Sequence, residues 1–235
     1  MEQFFLNIQK KISKFCKFNT STKIQWLVSI LARFLGSIKF SFYHSINLIN
    51  AKFKGVRHGR NFSTNGLLIL DIFPGSTVSF GDNVTIVSDP KRASASVLYS
   101  KFKIKTFEPS STVCIGNNVG FSGTSITCRS KRIEIGDNTA IGPNVIIIDS
   151  DCHIPVPYGK WLEYPGYEHD ADVIIGKDCF IGLNSVILKG VHIGDHCVIA
   201  AGSVVVKDIP PHSIAAGVPA KVVKTFDASD RKISP

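Results

Sequence analysis

The segment IIIDSDCHIP gathers titratable side chains into a few positions: Asp149, Asp151, Cys152 and His153. An imidazole of ordinary pKa, ~6.5, is mostly neutral at pH 7 and takes up a proton readily. A neighbouring carboxylate can fix its tautomer and steady the imidazolium. Asp149 and Asp151 alternate with Ser150 and Cys152, so an extended backbone would point both carboxylates to one side. These residue types suit proton transfer. Trp161, Tyr164, Tyr167 and His169 follow, a mixture that resembles a site more than a plain linker. Among the six cysteines there is no C-x-x-C spacing, and only Cys152, beside His153, has a neighbour suggestive of chemistry.

A regular scaffold must hold this segment, and its signature lies downstream. Ile175, Ile181, Ile187, Ile193, Ile199 and Val205 are spaced six apart without a miss. Six is the period of neither a helix nor a flat strand, so a short repeat architecture is implied. Four positions after each ladder residue stands a small or branched side chain: Cys179, Ser185, Val191, Cys197 and Ser203. Gly, Asn, Asp or His recurs at the third position, where a tight corner favours residues that tolerate positive φ. Each hexad therefore reads as a short strand plus a corner, and three hexads close a triangular turn. Ile175 stacks on Ile193, Ile181 on Ile199 and Ile187 on Val205, with coils ~4.8 Å apart. The fold class is mainly β: a parallel β-helix.

The same step recurs upstream in Ile135, Ile141 and Ile147, in Ile115, Phe121 and Thr127, and in Phe80 and Ile86. Two interruptions leave excursions, 87–113 and 149–172. Long loops in a compact domain are commonly functional or disordered. The second holds the D-x-D-x-H segment; the first, rich in lysine and serine, reads as a hairpin or edge extension. The predicted organisation is a basic helical segment over 1–62, a β-helix over 63–224 and a tail over 225–235.

Residues 1–60 hold eleven Lys and Arg against Glu2 alone, whereas the remainder has sixteen bases and seventeen acids. The excess of nine positive charges thus belongs to the N-terminus, and a nucleic-acid-binding repeat domain is not indicated. Phe5, Ile8, Ile12 and Phe15 share one helical face, and the apolar runs IQWLVSILARFL and SIKFSFYHSINLI follow. The run IQWLVSILARFL is too short to span a bilayer, Arg33 and Lys39 interrupt longer windows, and no small-residue cleavage site closes it. Two readings stay open for residues 1–50: a cap over the β-helix end, or an amphipathic element on an anionic membrane surface.

The repeats IGNNVG, IGDNTA, IGPNVI, IGKDCF, IGLNSV and IGDHCV, with the terminal stretch KDIPPHSIAAGVPAKVV, resemble the hexapeptide-repeat acyltransferases. The resemblance covers about residues 112–224 and points to sugar O-acetyltransferases of the maltose, galactoside and surface-polysaccharide types. It implies a left-handed β-helix and acetyl-CoA as co-substrate, with no metal. It also implies His153 as general base, supported by Asp151 or Asp149, and the Leu183 backbone N–H as oxyanion donor. Ala201 and Gly202 would leave room for pantetheine, and Lys207, Lys221 and Lys224 would meet the phosphates. Asn144, Ser122, Trp161 and Phe180 would face the acceptor; Phe180 stands where relatives often carry Trp. Trp161, Tyr164 and Tyr167 would stack on a sugar ring or clasp a neighbouring subunit. The resemblance further implies a homotrimer with sites between subunits; the cysteine pattern fits a reduced cytoplasm, and the basic N-terminus the inner membrane surface. Alternatives are N-acetylation of a nucleotide-linked amino sugar, a zinc carbonic anhydrase, against which His192 and His196 occupy hexad slots that should not converge with His153, and a non-catalytic scaffold.

Overall fold

Short strands that turn every few residues stack into three parallel sheets. The computed structural model describes residues 20–93, 98–99, 101–153 and 166–226. Among these residues the first sheet has six strands, from Arg57–His58 to His192–Ile193. The second has eight, from Ser63–Asn65 to Ala220–Thr225, and the third has six, from Ile69–Asp71 to Val204–Val205. The chain visits the sheets in turn, so each circuit is one coil of a parallel β-helix. Ile175 pairs with Ile193, Ile181 with Ile199 and Ile187 with Val205, as the ladder predicts. These side chains are almost wholly buried, and Cys179, Ser185, Val191, Cys197 and Ser203 fill the small inward slots between them.

Two upstream expectations need correction. Thr127 is not the inward residue of its hexad; Ile126 is, aligned with Ile104 and Ile147 and fully buried. The corner after Phe121 is one residue shorter than its neighbours, with Gly123 at φ +53°, and a one-residue slip exchanges the two faces of a strand. The excursion 87–113 is also not a hairpin. Lys103–Thr106 is a regular strand of the third sheet and Thr112–Ile115 one of the first, so the extra chain is confined to about residues 88–102.

The corner between the first and second sheets explains the recurrent Asn. Asn61, Asn83, Asn118, Asn138 and Asp178 all have positive φ. Each Asn donates its Nδ2–H to the side-chain oxygen of the next coil's residue, at 2.9–3.0 Å. His196 and His212 continue the column, their rings stacked at 4.8 Å. Such a polar ladder satisfies corner side chains and fixes the register of coil on coil.

Helix α1 runs from Thr20 to Phe53, merging the two apolar runs into one element. The chain divides into two units, one ending at Phe42 and the other beginning at Tyr43. Within the second unit the last turns of α1 cover the first coil. Asn47 is buried there; its Nδ2 donates to Thr64 Oγ1 and to the Gly66 carbonyl, and its Oδ1 accepts from the Leu68 N–H. No helix among the described residues is long and apolar enough to cross a membrane. The run from Phe5 to Phe15, Trp161, Tyr164 and the tail from 227 lie outside the described residues.

Coils approach most closely at certain glycines. A Cβ on Gly182 would lie 2.5 Å from Ala201 N and 2.8 Å from Ala200 C, both backbone atoms. Gly182→Ala is therefore expected to destabilise by about 1–3 kcal/mol, the usual range for forced overpacking. Urea denaturation checks this; an unchanged midpoint would contradict the packing.

Candidate functional site

The outer face of the second sheet carries a groove because its outward residues are small in the middle. Gly120 and Ala140 lie in register with each other and with Thr85 on one side and Phe180 on the other. A Cβ on Gly120 would meet nothing within 4 Å. The resulting cavity, about 330 Å³, is lined by Thr85, Val87, Ser122, Pro143, Phe180 and Leu183 among others. Phe180 is half exposed and forms a wall. Three residues that the resemblance singles out, Ser122, Phe180 and Leu183, are thus brought together. Asn144 sits next to this cavity but is committed to the corner: its Nδ2 donates to Asn184 Oδ1 and its Oδ1 accepts from the Tyr99 N–H.

The backbone at Leu183 differs from its equivalents at the neighbouring corner. There, the N–H groups of Arg60, Asp82, Asn117 and Lys177 each donate to an Asx side chain of the following coil, at 2.6–2.9 Å. The residue following Leu183 by one coil is Ala201, which has no acceptor side chain. Among the described residues no acceptor faces the Leu183 N–H, while its carbonyl accepts from the Gly202 N–H at 2.8 Å. A lone main-chain donor on the wall of an apolar groove suits a developing oxyanion.

His153 lies at the corner between the third and first sheets, exposed at the start of the long excursion. The chain is not extended here. Cys152 has φ +65°, and the two aspartates diverge, contrary to the alternation argument. Asp149 is fully buried; its carboxylate accepts from the N–H groups of Arg129, Ser130 and Lys131, at 2.7, 3.1 and 2.9 Å. It therefore organises the preceding corner. It also sits 3.5 Å from the Cys128 sulfur, where burial and the negative charge push the thiol pKa far up. Asp151 is exposed and pairs with Lys189 at 2.5 Å.

Two residues without a role in the sequence reading hold this corner. Arg129, 4% exposed, makes a bidentate pair with the buried Asp170, Nε to Oδ2 at 2.8 Å and Nη2 to Oδ1 at 2.6 Å. Its Nη1 donates to the carbonyl of Cys152 at 2.7 Å, fixing the peptide that leads into His153. Tyr167 stacks its ring on this guanidinium, 4.3 Å from the centroid, so that ring face is occupied from within the chain. The position three residues after the inward Ile126 is held by residues as varied as Phe107, Ser150 and Asp208 in other coils, so neither Arg129 nor its partner forty-one positions on was legible in the sequence.

Burial acts to raise the Asp170 pKa, but hydrogen bonds from Arg129, Ser130 and Ser150 outweigh it, and the result is a lowered value. A carboxyl depressed on folding adds stability above its unfolded pKa, ~3.9, and that stability is lost as pH falls through the folded value. Urea midpoints are expected to fall steeply below about pH 4, and Asp170→Asn to flatten that limb. An equally steep limb in the variant would assign the acid sensitivity to other carboxylates.

Of the remaining predicted positions, Ala201, Gly202, Lys221 and Lys224 lie toward the far end of the groove sheet, whereas Lys207 follows the last strand of the third sheet. Ala201 and Gly202 are exposed at a corner, and Gly202 has φ +70° with open space beside it. Ser213–Gly217 and Ala220–Thr225 form an antiparallel pair that extends the second sheet and carries exposed Lys221 and Lys224; Lys207 is exposed just before it. His192 points out of the first sheet and His196 is stacked in the Asn column, so neither gathers with His153.

Residues 172–207 match the family described as the hexapeptide repeat of succinyl-transferase. Over 125 residues the chain is 38% identical to galactoside O-acetyltransferase of Escherichia coli, covering 53% of this chain and 60% of that one. It is 37% identical over 124 residues to galactoside O-acetyltransferase of Lactococcus lactis, covering 50% and 58%. The chain thus spans less than two thirds of the length of these curated relatives. A solved structure of AntD, an N-acyltransferase from Bacillus cereus in complex with dTDP-4-amino-4,6-dideoxyglucose and coenzyme A, shares the fold. Its TM-score is 0.58 at 20% identity, over 78% of this chain and 91% of that one. Coil register and the likeness to this solved structure show the fold, a left-handed parallel β-helix, and residues 172–207 carry the hexapeptide repeat.

Proposed function

We propose that this protein transfers an acetyl group from acetyl-CoA to a hydroxyl of a sugar or surface-polysaccharide glycan. The observation that carries the reading is the groove on the second sheet, where the unclaimed Leu183 N–H stands with Ser122 and Phe180. The similarity to galactoside O-acetyltransferases supports the acceptor class. His153 takes the proton of the acceptor hydroxyl, whose oxygen attacks the thioester carbonyl. The Leu183 N–H meets the oxyanion that forms. Collapse breaks the carbon–sulfur bond, and the leaving thiolate takes the proton that His153 holds. Pantetheine lies past Ala201 and Gly202, and Lys207, Lys221 and Lys224 offer point charges to the phosphates.

The coil topology bears on assembly. His153 is at the corner where the third and first sheets meet, and the groove is on the second, the face opposite that corner. One chain therefore does not bring both halves together, and in this reading they meet between subunits of a homotrimer. The protein works in the cytoplasm or at the inner membrane surface. The test is thiol release from acetyl-CoA with a panel of free sugars, glycans and amino sugars. Hydroxyl-dependent release is expected. Release only with amines would shift the reading to N-acetylation, and release with no acceptor in the panel would overturn it.

A further inference from the structure

We propose that the exposed stripe of α1 is a docking surface for an anionic lipid bilayer, and that a basic cup in the second unit takes lipid phosphate. The inference is independent of the acetyl-transfer reading. Ile24, Val28, Leu31, Leu35 and Ile38 recur at intervals of three and four residues, and each is more than half exposed. Within the second unit Ile46, Ile49 and Phe53 form an exposed stripe of the same spacing; Phe53 is 86% exposed. On the stretch from Tyr43 onward this stripe lies opposite Asn47 and Ala51, the residues buried against the first coil. The covering of the β-helix end and the exposed stripe therefore use different sides of the helix, and both readings of the segment hold together.

The occupant follows from charge. No acidic residue occurs between Gln3 and Leu70, while the same stretch carries eleven Lys and Arg. Where the helix ends, Leu48, Lys52, Gly55, Val56, Arg57 and His58 line a shallow cavity, and the Lys52 and Arg57 side chains are exposed. An apolar stripe bordered by cations alone matches a bilayer whose surface is negative and whose interior is apolar. A second copy of the same helix would bring like charges together without acids to oppose them.

The full chain should be sedimented with vesicles of phosphatidylcholine alone, or with phosphatidylglycerol added. Retention on the anionic vesicles is expected to be about tenfold greater at low salt and to fall several-fold at ~0.5 M salt. Leu31→Ser with Leu35→Ser, and separately Lys52→Glu with Arg57→Glu, should each weaken it by about tenfold while the far-UV spectrum is unchanged. Equal retention on both vesicle types, or no retention of the folded wild type, would overturn the proposal. So would a Leu31/Leu35 variant that keeps vesicle binding but loses oligomer mass, which would assign the stripe to a second copy.

Discussion

His153→Ala is expected to lower acceptor-dependent thiol release by about 10²–10⁴-fold, the range over which a positioned general base acts. The side chain is exposed at its corner, so the substitution should leave the unfolding midpoint within about 0.5 kcal/mol of wild type. Affinity for CoA, read by calorimetry, should persist, because the groove and the terminal hairpin lie on a different sheet. Turnover that survives the change would sink the mechanism. Complementation tests the intersubunit geometry as well. Gly120→Phe fills the groove, since the space beside Gly120 is open. Co-expressed with His153→Ala, it should restore activity at about one quarter of the sites if each site takes His153 from one chain and the groove from another. No recovery in verified mixed oligomers would place both halves in one chain.

Asp170→Ala is expected to destabilise the fold by about 3–5 kcal/mol, because it leaves the Arg129 guanidinium buried without its counter-charge. Loss of the pair should also release the Cys152 carbonyl, since Arg129 then lacks the fork that orients it. A paired replacement separates the two effects. Arg129→Met with Asp170→Leu removes both charges and fills similar volume, an exchange that is often close to neutral for stability. The double variant should therefore recover its urea midpoint while kcat stays low, with KM for acetyl-CoA little changed. Recovery of both would make the pair a packing feature alone. Loss of both would show that the corner needs the charges to fold.

The same contrast separates what could be read along the chain from what could not. The ladder from Ile175 to Val205 was legible because it is strictly periodic: each inward residue meets its own copy one coil away. The slip at Ile126 was not, since the shortened corner still carries a glycine, Gly123, and nothing along the chain marks the missing residue. The strand Lys103–Thr106 escaped for a related reason: its alternation of lysine with Ile104 and Thr106 looks like an irregular insertion until the coils on either side are seen. Asp149 shows the limit for the site. Its place beside His153 in the chain suggested a carboxylate partner, but the turn at Cys152 directs it into three backbone N–H groups of another coil.

By itself the sequence determined the repeat, its inward faces, the corner chemistry of Asn and Gly, and a resemblance that implies roles for His153 and Leu183. Those properties are local or recur every six residues, so each is written many times. Only the tertiary structure decided that Gly120 and Ala140 open a groove beside Phe180, that among the described residues no acceptor faces the Leu183 N–H, unlike those of Arg60, Asp82, Asn117 and Lys177, and that Arg129 and Asp170 clamp the peptide before His153. Each of these depends on one contact between residues about twenty to forty positions apart, made once, and a single contact between coils leaves no period in the chain to reveal it.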